Sequence, residues 1–156
     1  EDGHLIAFQG RTLDPSNELR YITIKVDETV CKLFGLEKMD TSKPVYVLEG
    51  PIDSLFIPNS IAMAGSDMNK KCILDKSTEF VMVMDNENRN KEIVHKMKVF
   101  IDEGFPVCIW DENIKQKDVN DMVLNGMSAD SIFESIKKYT YKGLQAKMRL
   151  SKWSRV

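Results

Sequence analysis

Three short apolar runs in this sequence end in carboxylates. Val45-Tyr46-Val47-Leu48 runs into Glu49-Gly50, Phe80 to Met84 runs into Asp85-Asn86-Glu87, and Pro106 to Trp110 runs into Asp111. A few residues beyond the third run stands Lys117-Asp118-Val119-Asn120-Asp121. Consecutive apolar positions suit strands buried on both faces, as in a parallel sheet. Acids just past the ends of such strands fall on the sheet's carboxyl edge, where open α/β sheets bind their ligands. A single acid there, such as Glu49, is a weak signal, better explained as a helix-start residue favoured by the dipole. Acids after three strands are harder to explain that way. Carboxylates held together repel and raise one another's pKa unless a cation neutralises them. Oxygen-only donors point to a hard divalent ion, Mg²⁺ or Mn²⁺.

The elements that must position these acids are legible in order. His4 to Arg11 and Leu19 to Lys25 read as strands around the turn cluster Asp14-Pro15-Ser16-Asn17, which suggests an antiparallel hairpin. Asp27 to Met39 suggests a short helix broken at Gly35. The Val45–Leu48 strand leads through Gly50, where glycine permits a tight turn, into a helix with Asp53, Leu55, Phe56 and Ile57. Ile61 to Gly65 reads as a short strand. Arg89 to Glu103 has helical spacing at Ile93, Met97 and Phe100-Ile101, with Gly104 as its stop. Val119, Met122 and Val123 imply a short helix. Ser128 caps another, whose apolar face is Ile132, Phe133 and Ile136. Alternating strands and helices with right-handed crossovers give an α/β fold, a small mostly parallel sheet covered on both faces, preceded by a short antiparallel β segment.

Composition narrows the function classes. The 156 residues with 42% hydrophobic content suit one domain with a real core. No apolar run reaches the 18 or more residues that a membrane span needs, so no membrane partner is expected. The start carries no signal-peptide pattern and no methionine, so the chain reads as a fragment of a longer protein. Cys31, Cys72 and Cys108 lie far apart with no Cys-x-x-Cys pair, which argues against zinc and for reduced thiols. The net charge of −2 hides an asymmetry: from Lys137 onward there are seven Lys/Arg and no acids. A basic end beside an acidic body suggests an anionic partner, and equally suggests a solvated basic helix.

Taken together, Glu49-Gly50 after a strand, an Asp-x-acid pair after a later strand, and Lys-Asp-x-x-Asp beyond resemble a Toprim domain, the metal-binding nucleotidyl-transfer fold of primases and topoisomerases. The blocks Phe8-Gln9-Gly10-Arg11, Arg20-Tyr21-Ile22-Thr23-Ile24, Leu33-Phe34-Gly35-Leu36, Val47 to Ile57, Lys117 to Met122 and Ala146 to Lys152 resemble, in order and spacing, the DNA primases of T-even bacteriophages. The resemblance runs from about Glu1 to the last residue. It implies residues 1–40 as the remnant of a basic β-rich subdomain, 41–140 as the Toprim catalytic domain and 141–156 as a basic C-terminal tail.

The resemblance also implies roles. Glu49 and Asp85 are the expected catalytic residues. Asp85, Glu87, Asp118 and Asp121 are the expected holders of Mg²⁺ or Mn²⁺, with Asn120 as a support. Arg11, Arg20, Lys25 and Lys117 are expected to meet nucleotide or template, since guanidinium forks grip phosphates at two points. Two departures stand out. Glu87 replaces the second Asp of the usual pair, and Asn90 stands near the expected glycine, a position where Asn can still turn left-handed. The implied activity is synthesis of short RNA primers on single-stranded DNA, from nucleoside triphosphates, with the replicative helicase as partner, in the cytoplasm of an infected bacterial host. The family's zinc-binding domain is not in this sequence, so weak priming by this stretch alone is expected. Rival readings are another Toprim enzyme, such as a nuclease, and a non-catalytic interaction module.

Overall fold

The computed structural model describes residues 5, 7–14, 16, 18–19, 21–27, 33–63 and 77–156. The hairpin forms as expected: β1 (Ala7–Arg11) pairs antiparallel with β2 (Tyr21–Lys25), Phe8 opposite Ile24 and Arg11 opposite Tyr21. These two strands make a sheet of their own, while β3 to β8 make a six-stranded sheet in the order β3-β5-β4-β6-β7-β8. Its strands are β3 (Leu33–Phe34), β4 (Val45–Leu48), β5 (Ser60–Met63), β6 (Phe80–Val83), β7 (Val107–Cys108) and β8 (Thr140–Tyr141). The inner four run parallel, and β3 and β8 close the edges antiparallel. The sheet is thus mostly parallel, as expected.

Strand β4 shows why the apolar runs are continuous. All four of its residues are buried, Val45 and Val47 on one face, Tyr46 and Leu48 on the other. Side chains alternate across a strand, so burial on both faces demands an unbroken apolar run. The first face packs under α2 (Lys91–Asp102) and α5 (Gly143–Trp153), through Ile93, Met97, Phe100, Ala146, Leu150 and Trp153. The second packs under α3 (Val119–Leu124) and α4 (Ala129–Lys138), through Val119, Met122, Ile132 and Ile136.

Local signals set the helix ends. The Ser128 side chain accepts a hydrogen bond from the Ser131 N–H at 3.2 Å, the expected cap of α4. Asn90 is extended, not left-handed, and caps α2 by accepting from the Glu92 N–H at 3.0 Å. An oxygen-bearing side chain at that position serves the helix start better than the glycine it replaces. The helix after Glu49 is a single turn, α1 (Pro51–Ser54), opened by Pro51. Between Asp27 and Met39 the described residues form β3 and one 3₁₀ turn over Leu36–Lys38. Residues 141–156 complete β8 and form α5, which buries Ala146, Leu150 and Trp153 against the sheet.

Candidate active site

Strand order decides where a ligand fits. The chain runs from β4 to its neighbour β5, then crosses to β6 on the other side of β4, and continues outward to β7. The order therefore reverses at β4, which opens a crevice outside the carboxyl ends of β4 and β6. Glu49 follows β4 directly and Asp85 follows β6 after Met84. Leu48, Glu49, Asp53, Val83, Met84, Asp85, Trp110, Asp118 and Val119 line this crevice. Four of those nine residues are acids, set among apolar walls.

The protonation of the acids reflects that setting. Burial pushes the Asp85 carboxyl up to about 7, and Glu49 adds to the effect while Lys117 opposes it. Burial also raises Glu49 and Asp53, each helped by neighbouring carboxylates. Glu49 Oε1 is buried without a hydrogen-bond partner, and among the described residues the ammonium paired with it is Lys96 Nζ on α2, 3.9 Å away. A buried polar oxygen left unpaired costs roughly 1–3 kcal/mol, so a site that keeps one has a use for it.

Of the residues expected from sequence, Glu49, Asp85 and Asp118 line the crevice. Glu87 stands at its mouth, a third exposed, with Lys117 Nζ 3.7 Å from its Oε2 and 3.8 Å from Asp85 Oδ2. Asp118 also caps α3, its Oδ1 accepting from the Asp121 N–H at 2.7 Å. Asp121 turns to its own loop: its carboxylate accepts from the Lys117 N–H at 3.2 Å and from Asn125 Nδ2 at 3.2 Å. Arg11 and Lys25 lie on the same face of the separate hairpin, at opposite ends of its register. Arg20 falls outside the described residues.

Sequence reasoning missed two residues that build the site, Asp53 and Asn86, and gave a third, Gly50, the wrong reason. Asp53 was read only as part of a helix; here its Oδ1 accepts from the Asn120 N–H at 2.8 Å and ties α1 to α3. Its spacing, four residues after Glu49 across one turn, was the available signal. Gly50 is extended (φ −98°), so no tight turn requires it. A Cβ there would lie 2.2 Å from Asp53 Oδ2, so glycine makes room for that carboxylate. Asn86 staples the two acidic loops together. Its Nδ2 donates to the carbonyls of Ile114 (2.8 Å) and Gln116 (3.0 Å), and its N–H to that of Lys117 (2.6 Å). Trp110 packs rather than stacks on a ligand: it is buried, and its Nε1 donates to the Met84 carbonyl at 2.8 Å.

The donor set fits a hard divalent cation. It is made of oxygens, it holds the buried orphan Glu49 Oε1, and its Asp85 gains most by having its charge neutralised. Among the described residues, no three acid, His or Cys side chains already converge as a ready-made metal-holding group.

No family model matches the sequence. The chain is 40% identical over 157 aligned residues, 99% of its length, to the DNA primase of Enterobacteria phage T4. The chain is a relative of a phage DNA primase. It spans 45% of that primase's length. The crystal structure of the Aquifex aeolicus primase, zinc-binding and RNA polymerase domains, matches 97% of this chain with a TM-score of 0.68. That match covers 42% of the Aquifex chain at 18% identity, so it is a likeness of fold. No described helix is long and apolar enough to cross a membrane.

Proposed function

We propose that this chain is the catalytic core of a phage DNA primase of the Toprim type, joining ribonucleotides into short primers on single-stranded DNA. The observation that carries this reading is that Glu49, Asp53, Asp85 and Asp118 line one crevice at the sheet's reversal point, in a chain 40% identical to a phage primase.

The reaction joins a 3′-hydroxyl to an α-phosphate with loss of pyrophosphate, and its transition state concentrates negative charge. Bound Mg²⁺ or Mn²⁺ would lower the hydroxyl's pKa and neutralise that charge. Asp85, Glu87 and Asp118 would hold the ion, with Glu49 as a further ligand or as the group that takes the hydroxyl proton. Asp121 acts one step back, holding the Lys117 main chain. Lys117, exposed at the mouth, meets the triphosphate. Arg11, Arg20 and Lys25 grip template or nucleotide phosphates as point charges and forks. The apolar walls from Leu48, Val83 and Trp110 keep bulk water off the acids and strengthen every charge interaction there. In an infected bacterial cell the partners would be the single-stranded template and the replicative helicase. The domain limits 1–40, 41–140 and 141–156 belong to the same proposal.

The test is incorporation of labelled ribonucleotides on single-stranded DNA with Mg²⁺ or Mn²⁺, by the natural chain and by Asp85→Asn. Template-dependent RNA products that vanish in the variant support the reading. Cleavage of the DNA without any RNA product would replace it with the nuclease reading.

A further inference from the structure

A cation of the chain's own stands at the mouth of the crevice. Lys117 Nζ lies 3.7 Å from Glu87 Oε2 and 3.8 Å from Asp85 Oδ2, between two acids read above as metal holders. Neither distance is that of a hydrogen bond, for which N···O is about 2.7–3.2 Å. The ammonium is thus held by charge rather than by directed bonds, and its side chain is 56% exposed. Its main chain, by contrast, is fixed on both sides: the Asn86 N–H donates to the Lys117 carbonyl at 2.6 Å, and the Lys117 N–H to Asp121 Oδ2 at 3.2 Å. A point charge on a flexible four-carbon stem, rooted in a rigid loop, can leave its position without leaving the site.

We propose that the Lys117 ammonium is the resident counter-ion of the metal-free crevice, displaced by an incoming divalent cation and swung outward to receive the triphosphate. One residue then serves two states. Before metal it limits the repulsion among Asp85, Glu87 and Glu49. After metal it is driven from the acids by like-charge repulsion and becomes available to phosphate. This role rests on the reading of the crevice as a divalent-cation site. It makes a prediction opposite to that of a simple structural lysine: removing Lys117 tightens metal binding. Because the Lys117 side chain is exposed at the mouth, water screens its charge, and a unit charge about 6 Å from a divalent ion then changes its affinity roughly tenfold.

The experiment is calorimetric titration of the metal-stripped protein with Mg²⁺ and with Mn²⁺ at low salt, paired with thermal unfolding with and without metal. The variants are Lys117→Gln, Lys117→Arg and, as a control, Lys115→Gln, whose ammonium is engaged by the Glu112 carbonyl. The expected affinity order is Lys117→Gln, tightest by roughly tenfold, then the natural chain, then Lys117→Arg. The guanidinium fork binds two carboxylates better than an ammonium does and so competes harder. Lys115→Gln stays within about twofold because water screens an exposed charge. Metal-free Lys117→Gln unfolds at a lower temperature than the natural chain, and saturating metal closes that gap. If the natural chain binds metal but Lys117→Gln binds it equally or more weakly, the counter-ion role is wrong while the metal site stands. An equal gain in Lys115→Gln also overturns the role, because the effect would then be diffuse charge. If the natural chain binds no divalent ion, both the role and the reading beneath it fall.

Discussion

Replacing Asp85 with Asn should stabilise the metal-free protein while removing its use. The Asp85 carboxyl is pushed up to about 7 from an ordinary 3.8, mainly by burial and then by Glu49. Between those values the folded chain holds a proton that the unfolded chain has released, so stability falls as pH rises through that window. At pH 8 the folded protein carries the ionised group at a cost bounded by about 4 kcal/mol, at ~1.4 kcal/mol per tenfold change in proton affinity. The side chain is 20% exposed. Solvent screening reduces the usable figure to about 2 kcal/mol. Asn has the same shape without the charge. In a metal chelator at pH 8, Asp85→Asn should therefore unfold about 4–8 °C above the natural chain, at ~2–4 °C per kcal/mol for this size. At pH 5, where the natural Asp85 is already protonated, the two should nearly coincide. Added Mg²⁺ should raise the melting temperature of the natural chain alone. An Asn variant that melts lower at pH 8, or gains equally at both pH values, would refute the burial argument for Asp85.

Three further outcomes follow from the same geometry. Divalent-ion affinity should rise between about pH 6 and pH 8, because Asp85 must lose its proton first; calorimetry in buffers of different ionisation heat should show proton release on binding at pH 6 and little at pH 8. Asn86→Ala removes two side-chain hydrogen bonds to the loop bearing Lys117 and Asp118. It should cost about 2 kcal/mol in urea unfolding and weaken metal binding. Gly50→Ala puts a Cβ 2.2 Å from Asp53 Oδ2 and forces that carboxylate off the Asn120 N–H. It should destabilise by about 1–2 kcal/mol, an effect that Asp53→Ala in the same background should largely absorb in a double-mutant cycle.

The parallel strands and the acids after them were readable because two-sided burial forces unbroken apolar runs, and β4 and β6 ended within a residue of where Val45–Leu48 and Phe80–Met84 predicted. Ser128 was readable as a cap because capping is a local effect. What was not readable depended on contacts between distant segments. Asn86 looked like a spacer between two acids until its side chain was seen to hold carbonyls 28 and 30 residues away. Gly50 was rightly singled out but for the wrong reason, since backbone angle is a local guess and room for Asp53 is a tertiary fact. Lys96 carried no sequence signal, and only helix packing brings it to Glu49. The basic stretch after Tyr141 suggested a tail because its charges dominate the composition. Its three buried residues, Ala146, Leu150 and Trp153, sit at helical spacing and were outvoted by five cations.

The most direct test of the account is divalent-ion binding at pH 8, by calorimetry on the natural chain and on Asp85→Asn, each followed by addition of a nucleoside triphosphate. Binding that strengthens with nucleotide and disappears in Asp85→Asn is the predicted result. Metal binding that survives unchanged in Asp85→Asn, or no binding by the natural chain with nucleotide present, would contradict a nucleotidyl-transfer site built on these carboxylates.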